Sequence, residues 1–242
     1  MAGVSPNVIT FNSAISACEK GRESQQALLL FKKMTASGLQ PDVISFNAAI
    51  SACEKVGQWE RAMALLRDML EGGLPVDVIS FSAAISALSK GAQWERALSL
   101  FEEMCEAGVT PNLVTFDKVI VSCKMDGQWE RALLLFNQME TINVIPDMPI
   151  FTATISACTR HDQWQRALLV FEEMREANRE PDLTCFSAVT LACEKGNQWG
   201  RALLLLREMS AAGVTLDQKS GWAAISALEA AGEWQRALTL FR

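Results

Sequence analysis

Residues 43–77 read VISFNAAISACEKVGQWERAMALLRDMLEGGLPVD. This stretch contains two successive patterns of apolar residues at the i, i+3, i+4, i+7 spacing of one helix face. The first pattern comprises Phe46, Ala49, Ile50 and Cys53. The second comprises Trp59, Ala62, Met63, Leu66 and Met69. Gly57 lies in the short link between them, which predicts two antiparallel helices.

The same pattern recurs along the chain at a step of 35 residues. The tryptophans show this step directly: Trp59, Trp94, Trp129, Trp164, Trp199 and Trp234. Columns of Phe, Met and Ala repeat with the same spacing. We therefore predict the tail of a preceding repeat at 1–7, repeats at 8–42, 43–77, 78–112, 113–147 (degenerate), 148–182 and 183–217, and a partial repeat at 218–242.

The repeats predict how the helices assemble. One helical hairpin cannot bury its apolar face alone, but stacked hairpins bury it against their neighbours. After the second helix of each repeat comes Gly or Asn, which tolerates the positive φ that often ends a helix. An Asp or Asn then ends the repeat and can cap the first helix of the next one. The predicted fold is all-α, a solenoid of stacked helix–turn–helix repeats, and we expect it to be a segment of a longer array because neither end shows a polar cap.

Composition narrows the function classes. The 242 residues include 22 Lys and Arg against 28 Asp and Glu, a formal net charge of −6, which argues against attraction of the whole molecule to nucleic acid. No apolar run reaches the roughly 18 residues of a membrane span. Seven cysteines without CxxC spacing, with His161 as the only histidine, predict a reducing compartment and neither disulfides nor zinc. Because no phosphate loop or catalytic constellation is visible, we expect no enzyme, cofactor, metal or small-molecule substrate.

The 35-residue unit resembles P-type pentatricopeptide repeats. The resemblance rests on the period, the aromatic-Asn start, the Lys that ends the first helix, the late Met and the terminal Pro-Asp, and it covers essentially the whole chain. It implies a right-handed superhelix that binds single-stranded RNA, one base per repeat. It also implies a role in RNA processing, stability or translation in a plastid or mitochondrion, although no transit peptide is visible.

The resemblance further implies which side chains select bases: the residue after the aromatic and the last residue of the repeat. The implied pairs are Asn12/Asp42, Asn47/Asp77, Ser82/Asn112, Asp117/Asp147, Thr152/Asp182 and Ser187/Asp217. In the family code, Asn with Asp selects U, a small hydroxyl with Asn selects A, and a small hydroxyl with Asp selects G. Asp117 with Asp147 matches no common pair, so the implied target is 5′-UUAnGG-3′.

Two more columns are implied by the same resemblance. Aliphatic residues two positions before the aromatic lie between successive bases, and here they are Ile9, Ile44, Ile79 and Val114. Pro149, Thr184 and Lys219 depart from that pattern. Basic residues at the end of the first helix contact phosphate, and here they are Lys20, Lys55, Lys90, Arg160 and Lys195. Met125 interrupts this column, and Glu19, Glu54 and Glu194 beside it weaken its field.

Several columns also have a structural interpretation. We interpret the Trp column as packing between repeats rather than stacking on bases. The Cys and Met columns lie on buried helix faces and are interpreted as core. A second function therefore stays open: a protein-interaction scaffold or a structural subunit of a larger assembly that uses the same solenoid surface. The acidic pI and the degenerate fourth repeat favour this alternative.

Overall fold

The computed structural model describes residues 6–211 and, beyond them, residues 213, 221, 222, 225, 226, 228, 229 and 232. Residues 6–211 form twelve α-helices of 13 residues each and no β-strand. The helices are α1 Val8–Lys20, α2 Ser24–Ala36, α3 Val43–Lys55, α4 Trp59–Glu71, α5 Val78–Lys90, α6 Trp94–Glu106, α7 Leu113–Met125, α8 Trp129–Thr141, α9 Met148–Arg160, α10 Trp164–Glu176, α11 Leu183–Lys195 and α12 Trp199–Ala211. We call the odd-numbered helices first helices and the even-numbered ones second helices.

Every first helix begins behind a side-chain cap. In each case an Asp or Asn immediately before the helix accepts a hydrogen bond from the backbone N–H of the third helical residue. The capping residues are Asn7, Asp42, Asp77, Asn112, Asp147 and Asp182. A cap of this kind stabilises a helix by about 0.5–2 kcal/mol. The Asp and Asn column therefore determines where each first helix starts.

The turns between helices use left-handed backbone conformations. Within the described residues, each second helix is followed by a residue at positive φ: Gly38, Gly73, Gly108, Asn143, Asn178 or Gly213. The turn that joins a first helix to its second helix contains another such residue. Gly57 occupies that place between α3 and α4, whereas Ala92 occupies it between α5 and α6 with φ of 54°. Because Ala has a Cβ, its left-handed conformation is strained where that of Gly is not.

Residues Met1–Ser122 form one compact unit, which contains α1 to α6 and the beginning of α7. Within it, α1 packs on both α2 and α3, and α3 packs on both α4 and α5. Edge-to-face phenylalanine contacts join a second helix to the next first helix, with ring centroids 5.0 Å apart for Phe31 and Phe46 and 5.2 Å apart for Phe101 and Phe116. The unit is thus a stack of hairpins in which first helices contact first helices.

Residues Cys123–Arg242 form the second compact unit, whose described helices include α8 to α12. Its contacts repeat those of the first unit, since α9 packs on α10 and α11, and α11 packs on α12. The rings of Phe136 and Phe151 meet edge to face at 5.3 Å. The predicted all-α solenoid architecture is therefore confirmed within each unit over the described residues.

The repeated apolar columns form the core. The methionines Met34, Met69, Met104, Met139, Met174 and Met209 are completely buried. Burial raises the pKa of the thiols of Cys53, Cys123, Cys158 and Cys193 to about 11. The Trp59 ring packs against the next repeat, because a Cβ on Gly91 would lie 2.3 Å from its Cδ1 atom and the Arg96 guanidinium lies 4.7 Å from its ring centroid. The structural interpretations of these columns are thus confirmed for these residues.

Some predicted features lie outside the described residues. They are the base-selecting residue Asp217, the nonconforming Lys219, most of the predicted partial repeat at 218–242 and residues 1–5 of the predicted tail.

Candidate nucleic-acid interface

The predicted interface lies on the first helices, and its most exposed part is aliphatic. The exposed fractions are 73% for Ile9, 62% for Ile44, 56% for Ile79 and 52% for Val114. All four belong to the Met1–Ser122 unit and occupy the second position of a first helix. Isoleucine and valine are normally among the most buried residue types, so their exposure at the same helix position in four repeats is a distinctive apolar feature of this surface. In the other unit the corresponding residues, Pro149 and Thr184, are also exposed but offer less apolar surface.

The two members of each of the first two predicted base-selecting pairs are in direct contact within their repeat. Asn12 Nδ2 donates to the two carboxylate oxygens of Asp42 at 3.0 and 3.2 Å. Asn47 Nδ2 donates to those of Asp77 at 3.2 and 3.3 Å. Asp42 and Asp77 also cap α3 and α5. The side-chain amides of Asn12 and Asn47 are therefore hydrogen-bonded to the first turn of the next helix. The spacing of 30 residues between the two members of a pair is therefore bridged by one hydrogen-bonded contact.

The two Asp carboxyls stay ionised in this setting. Burial opposes ionisation, but hydrogen bonds from the backbone and side chain of Ser45 and from Asn12 outweigh it and lower the pKa of Asp42. The same balance, with Ser80 and Asn47 as donors, lowers the pKa of Asp77. An ionised carboxylate only accepts hydrogen bonds. Each Asp therefore orients the Asn amide by holding its NH₂ end.

Sequence reasoning missed a third member of these pairs. The third residue of the following first helix carries a hydroxyl that contacts both partners. Ser80 Oγ lies 2.6 Å from Asn47 Oδ1 and 2.9 Å from Asp77 Oδ1. Ser45 Oγ lies 2.5 Å from Asn12 Oδ1 and 2.8 Å from Asp42 Oδ1. A Ser or Thr three residues after a capping Asp was a visible signal of a capping box, and it could have pointed to this contact.

The third pair is linked only through such a hydroxyl. Thr115 Oγ1 lies 2.9 Å from Ser82 Oγ and 2.9 Å from Asn112 Oδ1. The backbone N–H of Thr115 donates to the same Asn112 oxygen at 3.0 Å, which orients the Asn112 amide. Ser82, Thr115 and Asn112 thus form one hydrogen-bonded chain. Ser82 is largely buried, whereas Asn112 is exposed.

The fourth and fifth pairs lack this hydroxyl, and the residue at this position after the sixth pair, Ser220, lies outside the described residues. Ile150 and Cys185 occupy the equivalent third positions of α9 and α11. Asp147 and Asp182 still cap these helices. Thr152 is buried and Ser187 is half-buried on the same helices. Asp117, which matched no base code, lies 2.7 Å from the ammonium of Lys118, so its negative charge is partly balanced within its own helix.

The predicted phosphate-contacting lysines are mostly engaged in ion pairs with the preceding repeat. Lys55 Nζ lies 2.8 Å from Glu19, and Lys90 Nζ lies 2.6 Å from Glu54. Lys195 Nζ lies 2.9 Å from Asp162. Among the described residues, Lys20 and Arg160 form no ion pair. Glu19 and Glu54 were expected to weaken the positive electrostatic field of the lysine column. The structure shows that they also form direct ion pairs with Lys55 and Lys90.

One cation was missed because it lies one position away from the expected column. Met125 is exposed at the predicted position, but Lys124 precedes it. Burial and the nearby charge of Arg160 lower the pKa of Lys124. Lys124 and Arg160 line a groove of about 700 Å³ in the Cys123–Arg242 unit, together with Ser187, Glu194 and Trp222 among others. Trp222, at the predicted base-selecting position of the partial repeat, is 65% exposed.

Within the described residues, no cluster of three side chains able to hold a metal ion occurs.

Comparisons with known proteins bear on this surface. A profile described as the PPR repeat family matches residues 6–55 and 41–90. A second profile, the pentacotripeptide-repeat region of PRORP, matches residues 79–240. The search of curated proteins gave no match.

None of the described helices is long and apolar enough to cross a membrane.

Solved structures with a similar fold include three informative cases. The pentatricopeptide repeat protein PPR10 in complex with an 18-nt psaJ RNA element is 26% identical, with a TM-score of 0.72 over 95% of this chain and 33% of that chain. Nuclear proteinaceous RNase P 2 from A. thaliana is 14% identical, with a TM-score of 0.63 over 70% of this chain and 38% of that chain. The PPR domain of A. thaliana protein-only RNase P 1 in complex with tRNA is 15% identical, with a TM-score of 0.53 over 95% of this chain and 98% of that chain. The chain spans about a third of the PPR10 chain.

Proposed function

Because the chain belongs to the pentatricopeptide repeat family, we propose that it binds single-stranded RNA and selects one base per repeat through the paired residues of its first helices. The observation that carries this proposal is the contact between Asn12 and Asp42, repeated between Asn47 and Asp77, beside the exposed aliphatic column. The structure of PPR10 with an RNA element supports the same class of ligand.

The chemistry of the pairs suits base edges. An Asn amide offers a carbonyl oxygen that accepts and an NH₂ group that donates. Uracil offers the complementary set, an N3–H donor between two carbonyl acceptors, so Asn12 and Asn47 match U. The exposed Ile9, Ile44 and Ile79 offer apolar surface to the faces of splayed bases, and single-stranded RNA with unstacked bases is the form that proteins usually read by sequence. The full proposed target is 5′-UUAnGG-3′, in which the two G positions rest on the pairs that begin at Thr152 and Ser187.

The electrostatics predict moderate and salt-dependent affinity. Lys20, Lys124 and Arg160 are available to phosphate, while Lys55, Lys90 and Lys195 must exchange a carboxylate for it. Each phosphate neutralised on a single strand contributes about −0.7 to the slope of log K against log salt. Three contacts give a slope of about −2, and six give about −4. Glu194 in the groove opposes binding at that site.

A direct test is fluorescence anisotropy of the purified chain with labelled RNA that contains UUAAGG. A scrambled RNA and the matching DNA serve as controls, each at two salt concentrations. We expect selective binding to the first RNA that weakens with salt. No binding to any RNA by a protein that circular dichroism shows to be helical would contradict the proposal.

A specific observation favours protein binding as a second candidate function. Leu134, Leu169 and Leu204 repeat at 35-residue spacing on the second helices and are 66%, 57% and 58% exposed. They belong to the Cys123–Arg242 unit, in which Ile150 and Cys185 replace the hydroxyl that lies beside each of the first three predicted pairs. A protein-interaction scaffold is the function that follows if the RNA test is negative.

We also propose that binding acts passively in an organelle, through RNA stability, processing or translation, without catalysis by this chain. A bound solenoid protects the RNA segment that it covers from nucleases. Cell fractionation, followed by sequencing of RNA crosslinked to the protein, tests both parts. Recovery from the cytosol alone would refute the organellar part.

A further inference from the structure

The third residue of a first helix bridges the base-selecting pair of the preceding repeat in three cases. We define these bridging hydroxyls as Ser45, Ser80 and Thr115. We propose that they are positioning residues for base selection: each determines which donors and acceptors its pair presents to RNA. This inference rests on the proposed RNA binding and adds a third side chain to each of the first three base-selecting pairs.

The second repeat shows the contacts of a bridging hydroxyl most fully. The Asn47 amide is held at both ends, since its NH₂ group donates to Asp77 and its oxygen lies 2.6 Å from Ser80 Oγ, whose one proton serves either that oxygen or Asp77 Oδ1 at 2.9 Å. Even without Ser80, Asp77 would determine which end of the Asn47 amide faces the carboxylate, because only the NH₂ group can donate to it. Ser80 fixes the plane of the amide, because it anchors the oxygen end to the same helix start. What remains for a base is one N–H and one lone pair at a fixed angle.

The hydrogen-bond directions in the third repeat can be assigned. Asn112 Oδ1 accepts from the Thr115 backbone N–H, so the Thr115 hydroxyl next to it at 2.9 Å must donate its only proton there. Thr115 can then only accept from Ser82, 2.9 Å away. The Ser82 hydroxyl therefore points its proton into the protein and presents lone pairs outward. Asn112 keeps its NH₂ group as a donor.

This arrangement, an acceptor on Ser82 and a donor on Asn112, complements adenine, whose edge offers an amino group beside the ring acceptor N1. Cytosine has the same order of donor and acceptor, so purine size must separate the two. Guanine and uracil present a ring N–H beside a carbonyl oxygen and fit the arrangement less well. The bridging hydroxyl of Thr115 thus supplies a physical reason for selection of A by a Ser and Asn pair.

The later repeats provide a natural contrast. Ile150 has no hydroxyl, and Cys185 offers only a weak thiol donor. Burial raises the pKa of Cys185 to about 12, so the thiol is neutral. Asp182 still accepts from the Cys185 backbone N–H at 2.8 Å. A serine at this position would restore the missing hydroxyl with almost no change in shape.

The experiment uses three variants of the whole chain: Ser80→Ala, Ser80→Thr and Cys185→Ser. Dissociation constants are measured for RNAs that carry each of the four bases at position two or at position five. We expect Ser80→Ala to reduce the preference for U at position two by about 2- to 12-fold, the factor that corresponds to one ordinary hydrogen bond. Position one, served by the intact Ser45, is the internal control. Ser80→Thr should retain the preference, and Cys185→Ser should sharpen selectivity at position five.

The outcomes separate the inference from the proposed function. Unchanged selectivity at position two in Ser80→Ala, with RNA still bound, would overturn the inference and leave RNA binding intact. An equal loss at all positions would also overturn it, because that result indicates a general structural defect. Failure of the unmodified chain to bind RNA would refute the proposed function and the inference with it.

Discussion

The lysines in ion pairs offer a way to change RNA affinity by a calculable amount. Replacement of Glu19 and Glu54 by Gln releases Lys55 and Lys90 from carboxylates that lie 2.8 and 2.6 Å away. Gln is close to Glu in shape and still accepts the hydrogen bond that Ser86 donates to Glu54 at 2.8 Å. Partly exposed ion pairs contribute only about 0.2–1 kcal/mol each, so we expect the double variant to fold.

The expected magnitude follows from counterion release. Two lysines that gain phosphate contacts make the slope of log K against log salt steeper by about 1.4, at about 0.7 for each contact on a single strand. Between 200 and 50 mM salt, a steeper slope of this size corresponds to about a sevenfold additional gain in affinity. The net charge of the chain changes from −6 to −4, since two negative charges are removed.

The assay is a salt titration of RNA binding by anisotropy, with a matched control. Glu71→Gln with Glu106→Gln gives the same net charge, but these exposed residues end the second helices α4 and α6, whereas the lysines end first helices. We expect the control to show the slope of the unmodified chain. Equal slopes in both double variants would refute the reasoning, because they would show that net charge, and not release of the two lysines, controls binding.

The remaining predictions concern stability. Ala92→Gly should raise the free energy of unfolding by roughly 0.5–1 kcal/mol, because it relieves the strain of an Ala at φ of 54°. A lower midpoint in thermal denaturation would contradict this. Gly91→Ala should destabilise by about 1–3 kcal/mol, since its Cβ would lie 2.3 Å from the Trp59 ring; an unchanged midpoint in the same assay would show that the ring moves aside. The lowered pKa values of Asp42 and Asp77 give stability that is present above the ordinary Asp pKa and lost as pH falls through the folded-state value. Urea denaturation between pH 6 and pH 3 should therefore show a smaller decrease in the double variant Asp42→Asn, Asp77→Asn than in the unmodified chain.

The architecture was predictable from sequence because its causes are local and repeated. Apolar residues at helical spacing predict each helix, and the step of 35 residues predicts the stack. The capping role of Asp42 and Asp77 follows from their place just before a helical pattern. The burial of the Met column follows from its position on the apolar face.

The details of the interface depend on which side chains meet after stacking, and these were harder to predict. Lys90 pairs with Glu54, 36 residues earlier, because the lysine reaches back to the preceding repeat. Sequence proximity suggested only neighbours such as Glu19 beside Lys20. The contact of Ser80 with Asn47 likewise joins residues 33 positions apart. Such contacts depend on the relative placement of two hairpins, which periodicity alone does not determine.

If the paired residues select bases, exchange of one pair for another must change which base the chain prefers. The double variant Asn47→Ser, Asp77→Asn gives the second repeat the same pair as Ser82 and Asn112 while Ser80 stays in place. Asn caps a helix about as well as Asp, so the fold should persist. The measurement is the dissociation constant for RNAs that carry U or A at position two.

We expect the preference at position two to change from U to A, while the preferences at the other positions stay as they are. Good base contacts in DNA recognition discriminate by about 1–3 kcal/mol, which corresponds to roughly 5- to 150-fold in affinity and sets the expected scale. A folded variant that binds RNA and still prefers U at position two would contradict the account.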